Sequence, residues 1–368
     1  MIDRLVSADS HVVPLPSFWR DYLPARLRDR APRIESTDAG DWTVFEGKRT
    51  PVMAINSIAG KARDGQGLRY RRFAEQVPGG HDPAARIADQ DRDGIVAEVL
   101  YGGGPLATED RELFYASHVA YNDWLADFCA HAPSRLVGVA YLPLESPEAA
   151  VAEVRRTRAR GLRAALLPAK PPFGAYWDRD WAPLFAALTE ACMPAGLHVG
   201  FGFARRHRFE GGAAFMTDVV MTKLEMAAPL ADLVFGGVLE RHPDLKVISV
   251  EAYVGWLPFV AEYMDHAYRV HRYWNDLGLR EEPSHYLRRQ VYATFIEDPV
   301  GLRERHALGV DNLLWSSDYP HGESTFPDSR GFVARAFAGI PEEETRKMVH
   351  DNARRVFDIC LDPLRPRA

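Results

Sequence analysis

Side chains able to bind a metal close four of the short apolar runs in the 368-residue sequence. Asp9-Ser10-His11 ends the first run, His198 stands within GLHVGF, Glu251 ends KVISVE, and Asp318 follows NLLWSS. Asp9 and His11 are two residues apart, so on an extended strand both side chains leave from one face. An imidazole or carboxylate buried in apolar surroundings is costly without a partner. Taken singly, each of these residues has an ordinary structural explanation. A shared divalent cation would relieve all of their burial costs together. Mixed carboxylate and imidazole donors suit Zn, Fe or Mn, as one ion or two. Such an ion polarises a carbonyl or carboxylate oxygen, or turns bound water into a nucleophile at neutral pH.

Groups this far apart in sequence need a scaffold that gathers strand ends. Apolar, β-branched runs predict strands near Leu5–Val12, Ile95–Tyr101, Leu136–Leu142, Arg163–Leu167, Gly196–Phe201, Lys246–Glu251, Val291–Ile296 and Asn312–Ser317. Helical patterns lie between them, such as 146–161, which opens on Ser146-Pro147-Glu148 and stops at Gly161. This strand–helix alternation predicts an α/β fold, a (β/α)8 TIM barrel formed by residues 1–368 as one domain. An open doubly wound sheet is the competitor, but no Gly-rich dinucleotide loop follows the first strand. The long gap between the first two strands, 14–83, reads as an insertion or lid on the catalytic face, containing a small hairpin at 41–52. A last helix at 341–359 would close the barrel.

Composition narrows the function. Hydrophobic residues make up 46% of the chain, and 45 basic against 51 acidic side chains leave a net charge of −6, which argues against a general binder of nucleic acid or anionic membranes. Three scattered cysteines (Cys129, Cys192, Cys360) form no paired motif. The N-terminus lacks a secretory pattern and no apolar stretch reaches the length of a bilayer span, so a cytoplasmic enzyme with a small-molecule substrate is expected.

The motifs ADSHVVP, PAGLHVGF, RHPDLKVISVEAYVGWLP, LLWSSDYPHGESTFPDS and DNARRVF occur in an order that resembles the metal-dependent TIM-barrel branch of the amidohydrolase superfamily. That branch contains aminocarboxymuconate semialdehyde decarboxylase and γ-resorcylate decarboxylase. The resemblance spans nearly the whole chain. It implies that His11, His198 and Asp318 are metal ligands and that Asp9 is a ligand of altered type, standing where relatives carry histidine or glutamate. It also implies a histidine at the end of strand six as a proton-transfer group, where this chain has Glu251. A glutamate there can bind metal, orient water, or act as acid or base.

Several further residues are candidates. His271, or else His266, on the segment 262–274 would complete a ligand set, and His321 would contact substrate or orient Asp318. Tyr101 would line the pocket, and Arg205 and Arg206 would grip a substrate carboxylate. Lys170 is a weak candidate for a bridging carboxylated lysine, and His242 should fall on the opposite, stabilising face. The leading expectation is hydrolysis of a small cyclic or carboxylated substrate. Asp318 would take a proton from water, and Glu251 or His321 would deliver it to the leaving group. Non-oxidative decarboxylation is close behind. The alternative is a non-haem dinuclear iron monooxygenase on the same barrel, completed by Glu251 and a helix histidine. The resemblance also implies a homodimer.

Overall fold

In the computed structural model, which describes residues 4–52, 56–61, 72–202, 212–275 and 277–361, every apolar run expected to be a strand forms one. The first, β1 (Leu5–His11), is followed by a small group, β2 (Arg33–Thr37), β3 (Gly40–Phe45) and β4 (Lys48–Pro51). Then come β5 (Ile95–Tyr101), β6 (Leu136–Tyr141), β7 (Ala164–Leu167), β8 (Ala195–His198), β9 (Val247–Val250), β10 (Val291–Phe295) and β11 (Leu313–Trp315). The large sheet has the order β1-β5-β6-β7-β8-β9-β10-β11, with each neighbouring pair parallel. Its strands are buried on both faces, as in LVGVAY and AALL. For that reason they read as continuous apolar runs rather than alternating ones.

Beyond β11 the chain turns onto β1 and closes the ring. The Asp318 amide donates to the Asp9 carbonyl at 3.0 Å and the His11 amide to the Tyr319 carbonyl at 2.6 Å. The Ser317 amide donates to Ser7 Oγ at 2.8 Å. The two sequence segments richest in candidate ligands are therefore stitched together by main-chain bonds. Helices cover the outside of the ring. The one at Pro147–Ala159 starts as its sequence requires, with Ser146 Oγ accepting from the Ala149 amide at 3.1 Å and proline in the first turn.

One helix reaches into the barrel wall. Pro83–Asp93 begins at Asp82, whose carboxylate accepts from the Ala84 and Ala85 amides, and ends at the left-handed Gly94. It carries the fully buried Arg86, whose Nη1 donates to the carbonyls of His11 at 2.8 Å and Gly79 at 3.1 Å. Its Nε pairs with Glu98 of β5, and its guanidinium lies 4.4 Å from the centroid of the Tyr319 ring. Gln90 Nε2 and Ser10 Oγ donate the remaining bonds to Glu98.

Two features differ from the sequence reading. The expected hairpin is present as β3–β4, but β2 joins it to make a three-stranded antiparallel sheet. The sequence of β2, RIEST, is mostly exposed and lacks apolar alternation, so periodicity could not signal it. The closing helix is not continuous: Glu342–Arg346 and Asn352–Val356 flank a π turn at Lys347–Asp351. The later part of the insertion lies on the loop after β11, with the amides of Ile58 and Ala59 donating to the Pro320 carbonyl at 2.9 and 3.0 Å. No helix among the described residues is long and apolar enough to cross a membrane.

Candidate metal centre

The C-terminal ends of four strands bring the scattered donors together. Asp9 and His11 come from β1, His198 ends β8, Glu251 directly follows β9, and Asp318 lies three residues past β11. His11 Nε2 stands 3.1 Å from Asp318 Oδ1, 3.5 Å from Asp9 Oδ1 and 3.6 Å from Glu251 Oε2. His198 Nε2 is 3.2 Å from Glu251 Oε2 and 3.8 Å from Asp9 Oδ1. Donors bound at about 2.1 Å to one tetrahedral or octahedral ion lie roughly 3.0–4.2 Å apart. The spacing matches a ligand shell.

Hydrogen bonding supports the same fit. Both carboxylate oxygens of Asp9, Oδ1 of Asp318, and Nε2 of His11 and His198 are buried, and apart from the close contacts within the cluster and with His321 they have no hydrogen-bond partner among the described residues. Such groups are rarely left without a partner. The Nδ1 atom of His198 lies 2.8 Å from the Val199 carbonyl, which can only accept. A proton therefore sits on Nδ1, and Nε2 is the atom turned to the cluster, where a metal would displace any proton it carries; a histidine that binds metal commonly donates its other nitrogen to a carbonyl in this way. The residues present fit a divalent cation.

Backbone strain accompanies these positions. Glu251 and Asp318 have φ of 61° and 56°, and Tyr253, beside them, has 62°. Non-glycine residues seldom adopt this left-handed conformation, and where they do it is often at functional sites. The turn aims each carboxylate back over the barrel mouth.

The charges in the cluster reshape one another. Burial alone would lower the pKa of His198, but the carboxylates of Glu251 and Asp9 outweigh it and hold it up to about 9. Burial instead dominates at His11, whose pKa is lowered, with His321 adding to the effect. His321 stacks on His11 with ring centroids 3.8 Å apart, and its Nδ1 lies 3.0 Å from Asp318 Oδ1. Burial works against protonation of His321, yet Asp318 raises its pKa above the ordinary histidine value. Burial also works against ionisation of Asp318, but His321 and His11 hold its carboxyl well below the usual range.

Tyr101, at the end of β5, is buried against both imidazoles, with centroids 6.5 Å from His11 and 5.5 Å from His198. Burial pushes its hydroxyl pKa well above the ordinary value. His242 precedes β9, away from the cluster, where its carbonyl accepts from Gln290 Nε2 at 2.7 Å. Lys170 is exposed. Arg205 and Arg206 lie outside the described residues.

The structure does not bring His271 to the cluster. It ends the helix Leu257–His271, exposed, with its ring 5.2 Å from that of Trp274. The buried positions of that helix are Leu257, Ala261, Met264 and Asp265, which leaves both His266 and His271 facing solvent.

Lys223 went unnoticed in the sequence. It lies on the helix Gly212–Leu224, and its Nζ sits 3.0 Å from Glu251 Oε1 and 5.5 Å from the centroid of the Tyr253 ring. Burial opposes its charge, but Glu251 raises its pKa. Glu251 is buried as well, yet Lys223 and His198 keep its carboxyl below the usual range. One signal was available: Lys223 is the lone basic residue in GAAFMTDVVMTKL.

An α/β barrel with convergent carboxylate and imidazole donors at its C-terminal mouth is the architecture of a metal-dependent enzyme. The chain belongs to the amidohydrolase family, whose sequence pattern matches residues 10–359. It is 25% identical over 295 residues to γ-resorcylate decarboxylase of Rhizobium radiobacter, covering 74% of this chain and 86% of that enzyme. It superposes on an amidohydrolase from Mycobacterium avium subsp. paratuberculosis K-10 with a TM-score of 0.77 and 25% identity, over 96% of this chain and 99% of the other. A dihydroxybenzoic acid decarboxylase from Polaromonas sp. JS666, with bound manganese and the inhibitor 2-nitroresorcinol, superposes with a TM-score of 0.64 and 18% identity, over 97% and 98%. The family and the fold read in the sequence both hold.

Proposed function

We propose that this protein is a divalent-metal-dependent decarboxylase of a small carboxylated ring. The observation that carries the reading is the convergence of buried, unpartnered oxygen and nitrogen donors from Asp9, His11, His198 and Asp318, with Glu251 beside them. These residues would hold the ion, manganese being the precedent in the Polaromonas relative. When bound, the ion supplies positive charge that polarises and orients substrate oxygens. The decarboxylase relatives favour this chemistry over hydrolysis.

The chain's own groups divide the remaining work. As carbon dioxide leaves, the carbon–carboxylate bond breaks and its electron pair stays on the ring carbon, which must take a proton. His321 is suited to deliver it, because Asp318 holds a proton on the imidazole while the ring remains partly open to solvent for reloading. Stacking on His11 fixes the plane of that ring. Tyr101 walls the pocket beside the two ligand imidazoles.

Hydrolysis is the second reading, favoured by Glu251 at the end of β9, where the decarboxylases resembled carry histidine. In it Asp318 takes a proton from water and Glu251 or His321 returns it to the leaving group. Incubating the manganese-loaded protein with a panel of hydroxybenzoates in deuterium oxide separates the two. Carbon dioxide release with one deuterium on the vacated ring carbon supports decarboxylation. Turnover of ring esters, amides or lactones with no carbon dioxide from the acids refutes it in favour of hydrolysis. Metal content and oxygen uptake in the same preparation test the dinuclear iron alternative, for which neither His266 nor His271 now provides a further ligand. Two irons per chain with substrate-dependent oxygen consumption would restore that chemistry.

A further inference from the structure

Three carboxylates meet at the mouth, from Asp9, Glu251 and Asp318. Glu323, whose field also reaches Lys223 and Asp318, adds a fourth carboxylate beside them, so with the ligand histidines neutral one divalent ion leaves negative charge over even with a proton on His321. In a buried site such a charge is poorly screened and repels another anion. A carboxylated substrate would meet it on entry. Lys223 offers the missing positive charge: its Nζ contacts Glu251 Oε1 at 3.0 Å, and its side chain is 17% exposed, so it is sheltered yet reachable. The opposite oxygen of Glu251, Oε2, is the one that faces His11 and His198. Glu251 therefore presents one oxygen to the cluster and the other to the lysine. The field of Lys223 also reaches Asp318. An ammonium has three donors, more than Glu251 alone uses.

We propose that Lys223 sets the charge of the site and receives the carboxylate of the substrate: its ammonium balances Glu251 and donates a hydrogen bond to the incoming anion. The inference rests on the reading of the substrate as a carboxylated ring. A merely structural ion pair would support Glu251 but would not distinguish a charged ligand from a neutral one of the same shape.

Calorimetric titration of the manganese-saturated protein with salicylate and with its neutral counterpart salicylamide makes that distinction. In Lys223→Met the Kd for salicylate should rise at least about tenfold, the loss of one charge-assisted hydrogen bond. Salicylamide affinity and manganese stoichiometry should be unchanged. Lys223→Gln should repeat the pattern, which guards against misfolding of the methionine variant. Unchanged salicylate binding, equal weakening of both ligands, or loss of manganese from both lysine variants would overturn the assignment. A wild-type protein that holds manganese but binds neither ligand would sink the carboxylated-ring reading and this inference together. Wild-type binding that both lysine variants preserve would sink the inference alone.

Discussion

Arg86 lies behind the candidate site, and replacing it should reveal how firmly the site is held. Arg86→Met keeps most of the side-chain length and removes the charge. Glu98 would retain Ser10 Oγ and Gln90 Nε2 but lose its counter-ion, while the carbonyls of His11 and Gly79 would lose a donor. Breaking a buried ion pair from one side costs about 3–5 kcal/mol, and a buried carbonyl left without a donor adds about 1 kcal/mol or more. A total near 5 kcal/mol is a large part of the roughly 5–15 kcal/mol that stabilises a typical domain. Guanidinium unfolding of the single variants and of Arg86→Met/Glu98→Leu measures the coupling directly. The double variant should recover about 2 kcal/mol or more of the single loss, since no buried charge is then left unpaired. Manganese retention should also fall in Arg86→Met, because the lost donor served the His11 carbonyl. A cost below about 1 kcal/mol, or strict additivity in the cycle, would refute the idea that this pair fixes the strand carrying His11.

Three further outcomes are expected. His198→Ala and Asp318→Ala should each lower bound manganese, measured by elemental analysis of folded protein, and full occupancy in both would show the ligand assignment to be wrong. His242→Ala should leave metal content and turnover intact, and complete loss of activity in a normally folded variant would overturn its placement away from the mouth. Protein stripped of metal by a chelator should lose stability as the pH rises. His198 has a folded pKa of about 9 against an ordinary 6.5, so its contribution is complete below 6.5 and gone above 9. That window corresponds to about 3 kcal/mol. A stability profile flat across it, or one unaltered by His198→Gln, would contradict the charge arrangement described.

The barrel was legible because its strands are buried on both faces and appear as unbroken apolar runs. The donors were legible because a polar residue at the end of such a run has few inexpensive explanations. The bounds of β5 hold as expected at Ile95–Tyr101, but those of other strands shifted by a residue or more: β8 stops at His198, and β11 stops at Trp315, with Asp318 in the turn beyond. Lys223 escaped because its partner lies 28 residues further on, across a helix-to-strand crossing that no local periodicity records. His271 misled for the complementary reason: its spacing within the segment was readable, but the direction in which the helix faces is set by packing. The π turn at Lys347–Asp351 left no pattern in PEEETRKMVHDNARRVFDI, which reads as one amphipathic helix. Arg86 carries no signal in its local sequence; what sets it apart is the company of Glu98 and two carbonyls, which only the fold assembles.

On the proposed assignment of their carboxylates, the left-handed turns at Glu251 and Asp318 set heat tolerance against turnover. Each holds a side chain in a conformation that only glycine adopts freely, at a cost of roughly 1 kcal/mol apiece. A library screened for survival at high temperature alone would therefore be drawn toward glycine at 251 and 318, and would discard both carboxylates as it hardened the barrel. Stabilising this protein without disarming it means leaving those two corners alone and seeking gains elsewhere, such as on its outer helices.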